Sequence, residues 1–361
     1  MRLRLIIAAL TLIAALLLLP QFLSDYAQDY AAARAWLHGA DSNGRTADLL
    51  AECCAAMAPL YGGMQTAHPP FATLLALPLA WLPWPVARLA WLVLSWAAIV
   101  GAWQIGRVAP AVCAATASFW IIALGLGTHE PLLFLLLALA LHLAERRPRV
   151  VGALVGLCAA IKVYPIVVIG GLLAARRYAQ AAIALATGAL ALLLCELVLG
   201  LGVTRGWLRF VPINTQFYVD NIGNGSLVRL VRAVVPGAPP TPVALAVLAL
   251  LSLPLLPRLR RSDWLRPLVP VMLLGSPLSW RHYMGLAALD QLGWAEQIAL
   301  ALAGLAALLI GMGVLPADNM APVVQGPLLI VLIWMWYRAS RPAAAIPSAA
   351  PQQAAPLPEE R

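Results

Sequence analysis

Two carboxylates four residues apart, Asp25 and Asp29, follow the first apolar run of the chain. In a helix that spacing puts both on one face. At the level of lipid headgroups such a face is partly desolvated, which raises a carboxyl pKa towards the range of a useful general base. The plainer role is capping, since Ser24-Asp25 also makes a good helix start. The single lysine, Lys162, stands in Ala160-Ile161-Lys162-Val163-Tyr164-Pro165, beside a helix break. A cation in an apolar run is costly and marks a site, here one suited to a phosphate, unless the side chain snorkels to the interface. Ser276-Pro277-Leu278-Ser279-Trp280-Arg281-His282-Tyr283 groups a cation, an imidazole and two aromatics. That mixture suits a lipid phosphate and a sugar face, or an interfacial belt. His68 opens another apolar run in Thr66-Ala67-His68-Pro69-Pro70-Phe71, and Asn221 and Asn224 lie in a long polar segment with Tyr218 and Asp220. Thr128-His129-Glu130-Pro131 interrupts a further hairpin, on a side the sequence leaves open. The five cysteines show no CxxC and no metal spacing, and the chain has no dense ligand cluster along its length.

The elements that carry these groups must be membrane helices. Hydrophobic residues make up 62% of the chain and charged residues 11%, less than half the charged share of a soluble domain. Such a chain is not a cytosolic enzyme, a nucleic-acid binder or a secreted scaffold. The net charge of +9 sits in short Arg clusters between apolar runs, where it sets orientation rather than binding nucleic acid. About twelve runs are long enough, or nearly so, to cross a bilayer; they include 4–21, 70–83, 150–174, 266–279 and 282–294. The expected fold is therefore an all-α, polytopic bundle of transmembrane or re-entrant helices over 1–338, with breaks at Leu82-Pro83-Trp84-Pro85 and at Pro165. An Ala/Pro-rich tail, 339–361, is expected to be disordered. The first helix is read as uncleaved, and an even count puts both termini in the cytoplasm. Loops 22–68 and 204–240 then face outwards. The same count puts Arg176/Arg177 and Arg258–Arg261 inside but Arg146/Arg147/Arg149 outside, against the positive-inside rule.

A carboxylate pair, cations and aromatics at interfaces around two outer loops fit an enzyme acting on a lipid phosphate. A channel calls for rings or filters, and a transporter for midplane ions in symmetric halves. The alternatives are an envelope polysaccharide polymerase or ligase, and a lipid-linked sugar transporter or flippase.

The order of motifs resembles glycosyltransferase family 87, the polyprenol-phosphate-mannose-dependent mannosyltransferases of the GT-C superfamily, over residues 5 to 338. Asp25-Tyr26-Ala27-Gln28-Asp29-Tyr30-Ala31-Ala32-Ala33-Arg34 is similar to the family's Asp-Phe-x-x-Tyr-Tyr-x-Ala-Ala-Arg. His68-Pro69-Pro70-Phe71, Lys162-Val163-Tyr164-Pro165, Gly223-Asn224-Gly225-Ser226-Leu227 and Ser276–Tyr283 resemble further family runs in the same order. The resemblance implies a transferase in the bacterial inner membrane that takes a sugar, expected to be mannose, from a polyprenyl-phosphate donor on the non-cytoplasmic face. The acceptor would be a hydroxyl of a glycolipid or glycan. It implies Asp25 as general base, with Asp29 sharing or exchanging that role. Lys162, Arg281 and His282 would hold the donor phosphate, and Tyr164, Trp280 and Tyr283 would line the sugar or lipid path. His68, Asn221 and Asn224 are acceptor-side candidates. The partners implied are the lipid-linked donor, the acceptor and membrane lipids, with no nucleic acid, no metal and no cofactor. Six residues at four places depart from the family pattern: Asp29 and His68 stand where Tyr is usual, Thr128-His129-Glu130 replaces Gly-Gln-Asn, and Arg281 replaces an acidic residue.

Overall fold

The computed structural model describes residues 1–18, 24–55, 58, 67–221, 223–259 and 264–341. Among them the chain is helical, without strands. The helices are α1 Arg2–Leu18, α2 Ser24–Leu37, α3 Thr46–Cys53, α4 Pro70–Ala80, α5 Trp84–Ile105, α6 Pro110–Leu126, α7 Glu130–Leu143, α8 Pro148–Ile161, α9 Ile166–Ala174 and α10 Tyr178–Leu199. They continue as α11 Val203–Val219, α12 Leu227–Val234, α13 Pro240–Ser252, α14 Leu268–Gly275, α15 Trp294–Gly311 and α16 Gly326–Ser340. Prolines punctuate the starts of α4 to α8, where a missing N–H costs nothing. Gly127, at φ 70°, ends α6 in the left-handed conformation that glycine adopts without strain.

Among the described residues, four helices are long and apolar enough to cross a bilayer unaided: α5, α10, α15 and Met320–Ser340, which takes in α16. Five more apolar helices are shorter, so the twelve spans expected from the sequence are not reproduced. The run at 282–294 is one reason: it forms a 3₁₀ stretch, Arg281–Leu289, and a turn. Of the tail expected to be disordered, residues 342–361 lie outside the described residues, while α16 continues to Ser340. Helix α10 turns Leu185, Leu190, Leu193 and Leu197 outwards, which is stable in lipid and not in water.

One end of the bundle is basic. Arg4 Nε donates to Val108 O, Arg177 approaches Glu145, and Arg177 lies over Trp264. Arg258 donates to Arg338 O, and Arg338 pairs with Asp290 and Glu296. Arg107, Arg146, Arg266 and Gln291 share one cleft. This basal end therefore collects the starts of α1 and α15, the α7–α8 turn, and the ends of α9 and α16.

This arrangement corrects the placement of Arg146/Arg147/Arg149, which lie at the basal end with Arg177. The parity error came from counting 70–83 as a crossing. Both ends of α4 lie against α2: His68, just before α4, bonds Asp29, while Arg34 donates to Ala80 O and Tyr30 to Leu82 O. Helix α4 thus stays at the end opposite the basal one. The run at 150–174 is instead a hairpin: α8 rises, breaks at 162–165, and α9 returns to Arg177.

Helix α8 runs parallel to α10 at close range. A Cβ on Gly152 would sit 2.6 Å from Gln180 O, and one on Gly156 would meet Ala184 O more closely still. Helix α14 and the 3₁₀ stretch make a second basal-rooted hairpin, and Leu268 packs against Gly171 of the first. The tips of the two hairpins carry Lys162 to Tyr164 and Ser276 to Tyr283.

Candidate active site

Helix α2 is fixed by aromatic side chains. Tyr26 stacks on Trp91 at 4.6 Å and on Trp84 at 5.9 Å, and Tyr30 donates to Leu82 O at 2.8 Å. That anchorage turns Asp29 into the bundle, where it is fully buried. Asp29 Oδ2 accepts a hydrogen bond from His68 Nδ1 at 2.8 Å and lies 3.5 Å from His129 Nε2. His129 is equally buried, edge-on to Trp91, whose Nε1 donates to Gly127 O and pins the turn.

The next residue, Glu130, begins α7 and is the hub of a second group. Its Oε1 lies 2.9 Å from Lys162 Nζ and accepts from Tyr164 Oη at 3.4 Å, and its Oε2 lies 3.8 Å from His282 Nε2. A carboxylate at a helix N-terminus also gains from the helix dipole. Lys162 donates to Tyr283 Oη at 3.3 Å, and Tyr164 stacks on Tyr283 at 4.9 Å. The two hairpin tips therefore meet ring on ring around one buried ion pair. Lys162 does not snorkel: it is buried with its partner.

Asp25, one turn before Asp29, is only half-buried, and the charges that act on it belong to His68, Lys162, Glu130 and Asp29. It joins the two groups. Burial pushes its carboxyl pKa above the ordinary range, against the pull of His68 and Lys162. Burial works against charging His68, but the adjacent Asp29 outweighs it and raises the imidazole pKa.

Of the residues singled out in the sequence, the structure brings together Asp25, Asp29, His68, Lys162, Tyr164, His282 and Tyr283. Arg281 turns away from Glu130, towards Met320 Sδ at 3.6 Å and a small cavity lined by Gly223, Gly225 and Gln325. Trp280 pairs with Asn224 in a β-bridge and meets Tyr218 edge-on at 6.2 Å. Asn224 is fully buried and spends its amide on backbone: it donates to Val219 O and Pro277 O and accepts from Ser226 N and Ser279 N. Asn221 accepts from Gly223 N within its own turn. Asn224 fastens the second loop to the hairpin tip, while Asn221 shapes the turn that precedes it.

Sequence reasoning passed over His129 and Glu130 as site groups. The signals were a polar break before Pro131, with no indication of its side, and the departure of Thr128-His129-Glu130 from the family's Gly-Gln-Asn. The local spacing of ligands was equally silent on Asp29, His68 and His129, whose ligating atoms all lie within 4.8 Å of one another. That gathering corrects the expectation of no dense ligand cluster. The three residues come from α2, the residue preceding Pro69 and the cap of α7, so only the fold assembles them.

The family model of glycosyltransferase family 87 matches residues 66–277, more than half of the chain. It takes in His68, His129, Glu130, Lys162 and Asn224, and stops short of Asp25 on one side and His282 on the other. No curated protein and no solved structure matches the chain.

Proposed function

We propose that this chain, which belongs to glycosyltransferase family 87 and is a glycosyltransferase, takes mannose from a polyprenyl-phosphate donor. The acceptor is a hydroxyl of a glycolipid or glycan on the non-cytoplasmic face of the bacterial inner membrane. The observation that carries this reading is the convergence of a half-buried carboxylate, Asp25, with the one lysine of the chain, Lys162, beneath two stacked tyrosines.

The reaction is a direct displacement. Asp25 accepts the proton of the acceptor hydroxyl as its oxygen bonds to the anomeric carbon. The bond from that carbon to the phosphate oxygen breaks, and polyprenyl phosphate leaves with the electron pair, giving inversion. The donor phosphodiester carries one negative charge and the leaving phosphate gains a second. A fixed cation is worth more to the departing group than to the bound donor, which is the condition for lowering the barrier. Lys162 is that cation, with His282 on the facing tip; Arg281, on the same tip, is turned towards Met320 and stands apart from the group. Glu130 keeps Lys162 extended into the site until the phosphate arrives. Tyr164, Trp280 and Tyr283 line the path of the sugar and the lipid. Asp29, fully buried and bonded to His68, positions that imidazole rather than taking the proton itself.

Orientation follows from charge. The basal end gathers Arg4, Arg107, Arg146, Arg177, Arg258, Arg266 and Arg338, and positive charge is retained in the cytoplasm. The site then faces outwards, α1 begins inside and α16 ends inside.

The test is sugar transfer from radiolabelled polyprenyl-phosphate-mannose in membranes of known protein content. Asp25→Asn should lower the rate by roughly 10²–10⁴-fold, the usual cost of losing a general base. Loss confined to Asp29→Asn would move the base by one turn. Full activity in both variants would eliminate the carboxylate mechanism.

A further inference from the structure

We propose that Asp29, His68 and His129 hold a divalent transition-metal ion, best met by zinc(II). The two imidazoles and one carboxylate are a borderline-soft donor set suited to zinc and its neighbours, whereas magnesium and calcium prefer all-oxygen sites. Their spacing fits. Tetrahedral zinc, with bonds near 2.0–2.2 Å, holds its ligand atoms about 3.3 Å apart. Asp29 Oδ2 lies 2.8 Å from His68 Nδ1 and 3.5 Å from His129 Nε2, on either side of that value. The three ligating atoms lie within 4.8 Å of one another, so a rotation of the two rings that brings them to about 3.3 Å completes the set.

Two further observations point to a ligand rather than a hydrogen-bonded cluster. His129 is fully buried, yet neither Nδ1 nor Nε2 has a hydrogen-bond partner, and Asp29 Oδ1 has none either. Buried polar atoms are almost always partnered, and a metal bond would satisfy the Nε2 that makes no hydrogen bond with any described residue. The local charge has the right sign: Asp25, Asp29 and Glu130 surround the set against the single cation Lys162. Binding would replace the proton on His68 Nδ1, which leaves to solvent. Three protein ligands leave the fourth position for water or a substrate oxygen, the arrangement of catalytic rather than structural zinc.

The full chain, purified in detergent with a tag free of histidine, is stripped with a chelator, reloaded with zinc and freed of excess. Metal content is then measured by mass spectrometry, and the protein is loaded in parallel with cobalt(II) for its visible spectrum. The expected result is one ion per chain, a tetrahedral cobalt spectrum without thiolate bands, and loss of the ion in His129→Asn and Asp29→Asn. Chelation should also lower the unfolding temperature of the unmutated protein and leave that of the two variants unmoved. No retained metal in the unmutated protein would overturn the proposal. So would equal retention by both variants, or thiolate bands that assign the ion to Cys53 and Cys54. The unmutated protein alone decides two of these outcomes, so a variant that fails to fold does not leave the proposal untested. None of the readouts involves sugar transfer, so failure of the transferase reading would show separately.

Discussion

Taking the carboxylate from Glu130 while Lys162 stays strands a buried ammonium beside two tyrosines. Removing one member of a buried ion pair typically costs about 3–5 kcal/mol, whereas replacing both by apolar groups of similar volume is near neutral. Glu130→Leu alone should therefore unfold at markedly lower temperature than Glu130→Leu/Lys162→Met, as followed by thermal denaturation in detergent. Transfer activity should fall in the single variant, which loses the group that holds Lys162 in place, and be lost in the double variant, which is stable but lacks the cation. At Asp25 the sign of the pH effect is fixed by burial, which raises its pKa. A base must be ionised, so activity falls as pH drops through the raised value. The acid limb of kcat/KM should lie above the ordinary aspartate value of about 3.9. A dication on Asp29, His68 and His129 favours the ionised carboxylate, so metal-loaded protein should show that limb at lower pH than stripped protein. Asp25 and Lys162 were legible as residues because each is an anomaly in an apolar chain. His129 and Glu130 were not, since a polar pair before a proline reads equally as a turn on either side of the membrane.

At the scale of elements, the lysine's position depends on a glycine contact far from any chemistry. Gly152 and Gly156 let α8 lie against the backbone of α10, and α8 ends one residue before Lys162. A methyl group on Gly156 cannot be absorbed by a flexible side chain, because the atom it meets is Ala184 O. Gly156→Ala should cost about 1–3 kcal/mol, the range for overpacking, and should lower transfer more than metal binding, whose ligands lie on other helices. Unfolding temperature, initial rate and zinc content of one preparation check this. The proline breaks at 82–85 and at Pro165 were legible from local stereochemistry. What the second break does was not: a kinked span and a re-entrant hairpin share one sequence pattern, and only the return of Arg177 to Glu145 separates them. The same ambiguity hid α4, whose apolar run reads as a crossing but packs along α2.

For the molecule as a whole, charge asymmetry sets the orientation, and one cysteine can report it. Cys53 is half-buried on α3 at the site end, while Cys54, Cys113, Cys158 and Cys195 are buried. A membrane-impermeant maleimide added to reduced spheroplasts should label the chain, and Cys53→Ala should abolish the labelling. Labelling that appears only after permeabilisation would place the site in the cytoplasm. Both hairpins that carry the phosphate-facing groups are rooted at the basal end, whereas α2, α4 and the 203–240 segment close over their tips from the other side. The second loop is bonded to the 276–280 tip through Asn224, Gly225 and Ser226, which reach the backbone of Pro277 and Ser279. Such a division makes the scaffold two-layered. On the proposed reading the outer layer brings the base, Asp25, and a basal-rooted hairpin brings the cation, Lys162, so a strain that separates the layers parts the two groups without unfolding either mount.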